Sequence, residues 1–237
     1  MISRAYPGPL DGALGDVQRR IVACRKCPRL VEYRERKATI ERRASFRDWD
    51  YWGAAVPSHG DPDARLLLVG LAPASHGANR TGRMFTGDPT ADFLAAALYR
   101  AGFASQPTSE HVDDGLLLRD AFEIAVVRCA PPGDKSTMAE QHACRPYLHQ
   151  EINLLPNLKA ALAFGRVAFD NYLRAVSEMT GTRVRQPFSH GGSYDMGPGQ
   201  PTLFASYHPS PRNTNTGRLT AESLDAVLAQ VRRFLDG

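Results

Sequence analysis

The chain has 237 residues, 43% of them hydrophobic, and its 29 Lys and Arg against 25 Asp and Glu give a formal charge of +4. That size excludes a peptide-sized module and supports a single domain over 1–237 with a full core, while the modest positive charge is compatible with a polyanionic partner without requiring one. No run approaches the roughly 20 apolar residues of a membrane span, and no basic stretch leads into a signal-type apolar core, so a cytoplasmic, reducing setting with no membrane partner is expected.

Residues 1–10, with Pro7, Gly8 and Pro9, are expected to be an irregular extension. Leu14, Val17, Ile21 and Val22 then recur at helical spacing up to Cys24, so a short helix delivers the first cysteine pair. Residues 32–47 are rich in Glu, Arg and Lys and read either as a solvated helix face or as a phosphate contact. From Arg65 onward, apolar runs at 66–70, 122–127, 160–164 and 202–206 alternate with helical patterns near 90–101, 139–154, 166–177 and 220–235. This alternation predicts a parallel sheet covered on both faces. Thr220 is placed to cap the last helix, whose buried stripe is Leu224, Val227, Leu228, Val231 and Leu235. The glycine-rich stretch 189–200 reads as a loop or hairpin turn before the last strand.

Two polar loops follow apolar strands. The first runs from Gly70 to Asp88 and the second from His208 to Gly217. An open α/β sheet carries its site at the carboxyl ends of its strands, so both loops are expected at one edge, forming one cleft with His208 facing the first loop. Cys24 and Cys27 form a C-x2-C pair, and Cys129 and Cys144 stand about a hundred residues downstream. In a reducing compartment these four are ligands or core residues rather than disulfide partners. Four thiolates suit zinc or a [4Fe-4S] cluster, spacing alone does not choose between them, and four buried thiols without metal remain a third reading.

Taken together, Cys24-x2-Cys27, the Gly70 to Asp88 loop, Val126-Val127-Arg128-Cys129-Ala130-Pro131-Pro132, Cys144-Arg145-Pro146-Tyr147-Leu148 and the His208 to Gly217 loop resemble the uracil-DNA glycosylases, in particular the iron-sulfur family 5, or type B. The resemblance implies a three-layer α/β/α sandwich around a four-stranded parallel sheet. It also implies a [4Fe-4S] cluster on Cys24, Cys27, Cys129 and Cys144, and a DNA-repair hydrolase acting as a monomer on double-stranded DNA that contains a deaminated or mispaired base. Where the related family 4 has an acid after the first glycine, this chain has Leu71; where family 4 has a uracil-reading asparagine, it has Ala125. Leucine cannot move a proton and alanine lacks the amide's donors and acceptor, so strict uracil selection weakens. Family 5 is accordingly broad, taking uracil, hypoxanthine, xanthine and ethenocytosine.

Cleaving an N-glycosidic bond requires stabilising a cationic sugar and an anionic leaving base, and delivering water to C1′. By resemblance His208 hydrogen-bonds the base and Asp88 activates the water. Asp88 also sits where a helix N-cap belongs, ahead of Pro89. Asn79 is a further polar group able to orient water. The resemblance also implies that Phe85 stacks on the extruded base, and the backbone of Gly70, Leu71, Ala72 and Pro73 is expected to read its carbonyls. Asp134 stands in the 131–134 loop where the wider family shows asparagine. By the same resemblance Arg212, Asn213 and Asn215 are expected to face the minor groove, and Arg80 and Arg83 are expected to grip flanking phosphates. No lysine occurs in either loop, which favours water over a covalent amine intermediate. Two other readings are a uracil-preferring glycosylase of the family 4 kind and a catalytically weak iron-sulfur protein that binds damaged DNA.

Overall fold

A computed structural model describes residues 10–237; the extension expected over the first ten residues lies, but for Leu10, outside the described part. Four strands form the centre: β2 (Leu66–Gly70), β3 (Ala121–Ala125), β4 (Ala160–Phe164) and β6 (Thr202–Ser206). They are mutually parallel in the order β3-β2-β4-β6. Two-residue strands, β1 (His59–Gly60) beside β3 and β5 (Ser193–Tyr194) beside β6, close the edges antiparallel. The sheet is therefore six-stranded and mixed, a correction to the simple four-stranded parallel sheet expected. The added strands are too short to carry an alternating pattern, but they pair the outer hydrogen-bonding groups of the two flanking strands, as sheet edges require.

Each central strand is a continuous apolar run because both of its faces are covered. Leu67, Val69, Phe122, Ile124, Ala161, Ala163, Leu203 and Ala205 face α1 (Gly12–Val22), α5 (Met138–Leu154) and α6 (Arg166–Thr180). The alternating residues Leu66, Leu68, Ala121, Ala125, Ala160, Leu162, Phe164 and Phe204 face α4 (Pro89–Arg100) and α8 (Ala221–Asp236). This gives the three-layer α/β/α sandwich. The five-residue stripe expected on α8 is buried throughout, and Thr220 caps that helix by accepting from the Ser223 amide. The stretch read over 32–47 as a solvated helix face or a phosphate contact is in part a helix, α2 (Pro28–Thr39), which follows the N-cap Cys27 and buries Leu30, Val31, Arg34 and Ala38.

One charged cluster ties the N-terminal helices to the sheet. Gln18 on α1 donates to Glu151 on α5 at 2.8 Å and accepts from the Ser58 amide at 2.7 Å. Arg128, just beyond β3, pairs with the other oxygen of Glu151 and with the Ser58 hydroxyl. All four residues are buried, so the ion pair is completed by hydrogen bonds on both partners, as an interior pair requires.

Candidate active site

The strand registers align Gly70 with Ala125 and Phe164 with Ser206, placing the loops that follow β2, β3, β4 and β6 at one edge of the sheet. Sequential strands β2, β3 and β4 stand in the order β3-β2-β4, so the sheet changes direction of growth between β2 and β4. That crevice is where such sheets bind ligands. A cleft of about 470 Å3 opens there, walled by Leu71, Phe164, the Gly165–Ala168 turn, Phe188, Tyr207, His208, Asn213 and Arg218. Of the two loops expected to share one cleft, the first reaches its wall with Leu71 and the second with His208 and Asn213, while Phe85 and Asp88 are not in its lining.

Gly70 ends β2 in full burial, and a Cβ there would lie 2.7 Å from Cζ of Phe85. The missing side chain is what admits the ring. Phe85 itself adopts φ of +45°, a conformation costly for a non-glycine residue and typical of functional positions. Its ring meets Phe164 edge to face at 5.6 Å, which connects the first loop to the end of β4. Leu71 is half-buried in the cleft wall and Ala125 is fully buried, so neither position offers a proton carrier or an amide.

Asp88 is the N-cap of α4: Oδ1 accepts from the amides of Thr90 at 2.9 Å and Ala91 at 3.0 Å, and Pro89 occupies the first helical position. A Cβ on Gly77 would overlap Oδ2 of Asp88, so the glycine is what lets the carboxylate rest against the first loop. Burial raises the Asp88 pKa, opposed by the two cap hydrogen bonds. The ring of His208 is partly buried beside β4, its Cβ 3.2 Å from where a Gly165 Cβ would stand, and Asn213 Nδ2 holds the His208 carbonyl at 2.8 Å. Burial lowers the His208 pKa while the nearby Asp134 charge opposes the shift. The imidazole is thus held toward its neutral form, which still has one N–H to donate. Asp134 is exposed with φ of +58°.

Other residues singled out from the sequence sit elsewhere. Asn79 is fully buried in α3 (Ala78–Thr81), where Nδ2 donates to the carbonyls of Arg34 at 3.2 Å and Ser75 at 3.5 Å. Arg80 is buried, donating to His76 O at 2.8 Å and Gly87 O at 2.7 Å, with its guanidinium about 4 Å from the ring centres of Phe46 and Trp49. Arg83 is also buried, doubly bonded to Asp114 and to the hydroxyls of Thr86 and Ser109. These three brace the first loop from inside. Arg212 and Asn215 are exposed on and just after α7 (Pro211–Thr214), beside the cleft. Sequence reading missed Arg166, Phe188, Tyr207 and Arg218; for Arg166 the signal was available, since it follows a parallel strand's carboxyl end and opens a helix.

The expected [4Fe-4S] cluster is overturned. Among the described residues no group of three or more His, Cys, Asp or Glu side chains is arranged to hold a metal ion, and Cys24, Cys27, Cys129 and Cys144 are free thiols. Burial pushes Cys129 up to about 12 and Cys144 to about 11, opposed at Cys129 by Arg34, whose Nη1 donates to Sγ at 2.8 Å.

The sequence model of the Uracil DNA glycosylase superfamily matches residues 57–232. The chain is 46% identical over 215 residues to a type-5 uracil-DNA glycosylase of Thermus thermophilus, covering 90% of this chain and 94% of that one. It is 44% identical to a type-5 uracil-DNA glycosylase of Mycobacterium bovis, covering 94% and 82%. Against a type-4 uracil-DNA glycosylase of Thermotoga maritima the identity falls to 26%, over 75% and 83%.

Proposed function

Because this chain belongs to the uracil-DNA glycosylase superfamily and to its type-5 group, we propose that the cleft at the sheet's switch point is where it hydrolyses the bond between an extruded base and its sugar. Uracil-DNA glycosylase activity in base excision repair is the activity of the family. The observation that carries the assignment to this cleft is that Leu71 of the first loop and His208 of the second line it together with Phe164, against which Phe85 packs.

In this reading the half-buried His208 donates its N–H to the base oxygen on which negative charge grows as the bond breaks. A donor fixed in a partly dry site strengthens as that charge develops, which lowers the barrier. Asp88 accepts a proton from, or orients, the attacking water at C1′, and its charge opposes the positive sugar. Its anchoring by two amides holds that charge in place without further reorganisation. Phe164 in the cleft wall supplies apolar ring surface for the flipped base, with Phe85 packed edge to face against it, and stacking is indifferent to base identity. With Leu71 and Ala125 in the wall, no side-chain amide or acid selects a pyrimidine edge, which supports acceptance of hypoxanthine, xanthine and ethenocytosine beside uracil. Water is the nucleophile, since neither loop contains lysine. Asp134 acts on the base through its charge near His208, and Arg212, Asn213 and Asn215 lie on the DNA side of the second loop.

Labelled duplexes carrying U·G, U·A and hypoxanthine·T, followed by alkaline cleavage of abasic sites, test this reading. Product is expected from both bases, faster from U·G than from U·A because unpairing costs less in a mismatch. His208→Ala is expected to slow single-turnover release by roughly 10²–10³. Release of uracil alone would move the protein to the uracil-preferring kind, and an unimpaired His208→Ala would remove the assigned role.

A further inference from the structure

The arginines that the first loop offers for phosphate are enclosed: Arg80 and Arg83 are 3% and 6% exposed and make their hydrogen bonds inside the protein. The cleft nevertheless carries two exposed guanidinium groups. Arg166 lies over the ring of Phe188 with its carbon 5.4 Å from the centroid, and Arg218 lies over Tyr207 at 4.5 Å. The two rings are neighbours at 6.0 Å, and Tyr207 is stacked on His190 at 4.8 Å with an interplanar angle of 7°. His190 is itself fixed, because its Nδ1 accepts from the Tyr207 amide at 3.2 Å. All four of Arg166, Phe188, Tyr207 and Arg218 line the cleft that contains His208.

Neither arginine forms an ion pair with an acid among the described residues, although exposed arginines elsewhere do so, such as Arg25 with Glu35 and Arg100 with Asp225. We propose that Arg166 and Arg218 are positioning residues that hold phosphates of the damaged DNA strand on the two flanks of the extruded nucleotide, a role that rests on the glycosylase reading above. A guanidinium stacked on a ring keeps its plane while its edge N–H groups fork onto phosphate oxygens, something an ammonium cannot do. The rings reduce the freedom lost when each phosphate is gripped. Arg166 belongs to the segment after β4 and Arg218 to the segment after β6, so the strand backbone is held from both sides of the loop that bears His208.

The experiment measures binding of the intact protein to a uracil-containing duplex across a salt series, together with kcat and KM, for Arg166→Gln, Arg218→Gln, the double variant and the corresponding lysine variants. Thermal melting checks that each is folded. Each glutamine variant is expected to bind about tenfold more weakly at 0.1 M salt, with the loss in KM rather than kcat. The slope of log K against log salt should shrink by about 0.9 per arginine removed. Lysine should restore the slope but not the whole affinity. Folded glutamine variants with wild-type slope and KM would overturn the proposal. Binding and base release are separate readouts: a wild-type protein that binds with the full slope but releases no base would instead overturn the glycosylase reading.

Discussion

Asp88 caps α4 and, in the proposed reading, also serves the attacking water, and substitution separates the two. Oδ1 caps α4 while the whole carboxylate is held against Gly77. Asparagine caps about as well as aspartate but carries no charge. Asp88→Asn is therefore expected to keep its melting temperature and to lose at least about tenfold in single-turnover rate, the low end of general-base contributions. Asp88→Ala should lose the same rate and about 1 kcal/mol of stability as well; comparing melting curves and rates for the pair checks both roles. Arg80 and Arg83 show why residue roles were harder to read than residue positions. Both lie in the right loop, but their partners, Phe46 and Trp49 for one and Ser109 and Asp114 for the other, come from irregular segments some thirty residues away, so nothing local marked them as internal.

At the level of single elements, the apolar runs of β2, β4 and β6 located those strands to the residue, since a strand buried on both faces needs no polar alternation. The exception inside the sheet is Glu123 on β3, buried at 3% exposure and 3.3 Å from His59 on β1. Burial pushes the Glu123 carboxyl up to about 8 and the His59 ring down to about 3. The folded protein then retains a proton on Glu123 that the unfolded chain releases above its ordinary value near 4.5. Stability therefore falls as pH rises through this window and levels off above about 8. His59 acts in the opposite sense, but only below its ordinary value of 6.5, where the unfolded chain takes up the proton. The fall from pH 6.5 to 8 belongs to Glu123. Thermal melts across pH 5–9 should show Glu123→Gln lacking that fall and exceeding the wild type at the alkaline end. Helix α2 was read only as a solvated face or a phosphate contact over 32–47 because Glu, Arg and Lys dominate it, and its start and its few buried residues are recognisable only once Cys27 and Pro28 are seen to open it.

Across the whole molecule, the Gln18, Ser58, Arg128 and Glu151 cluster joins α1, the segment before β1, the end of β3 and α5 in one buried network. Glu151→Ala leaves the Arg128 charge enclosed without its carboxylate, and a loss of about 3–5 kcal/mol is expected in chemical denaturation. Sequence order alone made the layered architecture and the common edge of the two loops legible; the cluster that fastens the N-terminal helices to the sheet was not, because its members are spread from residue 18 to residue 151. The chain contains two tryptophans. Trp49 lies against the Arg80 guanidinium, and Trp52 packs where a Gly82 Cβ would stand, 2.9 Å from its Cδ2. Both indoles thus rest on the same loop, and the ultraviolet emission of the protein is a built-in reporter of that loop's order, needing no dye to follow it.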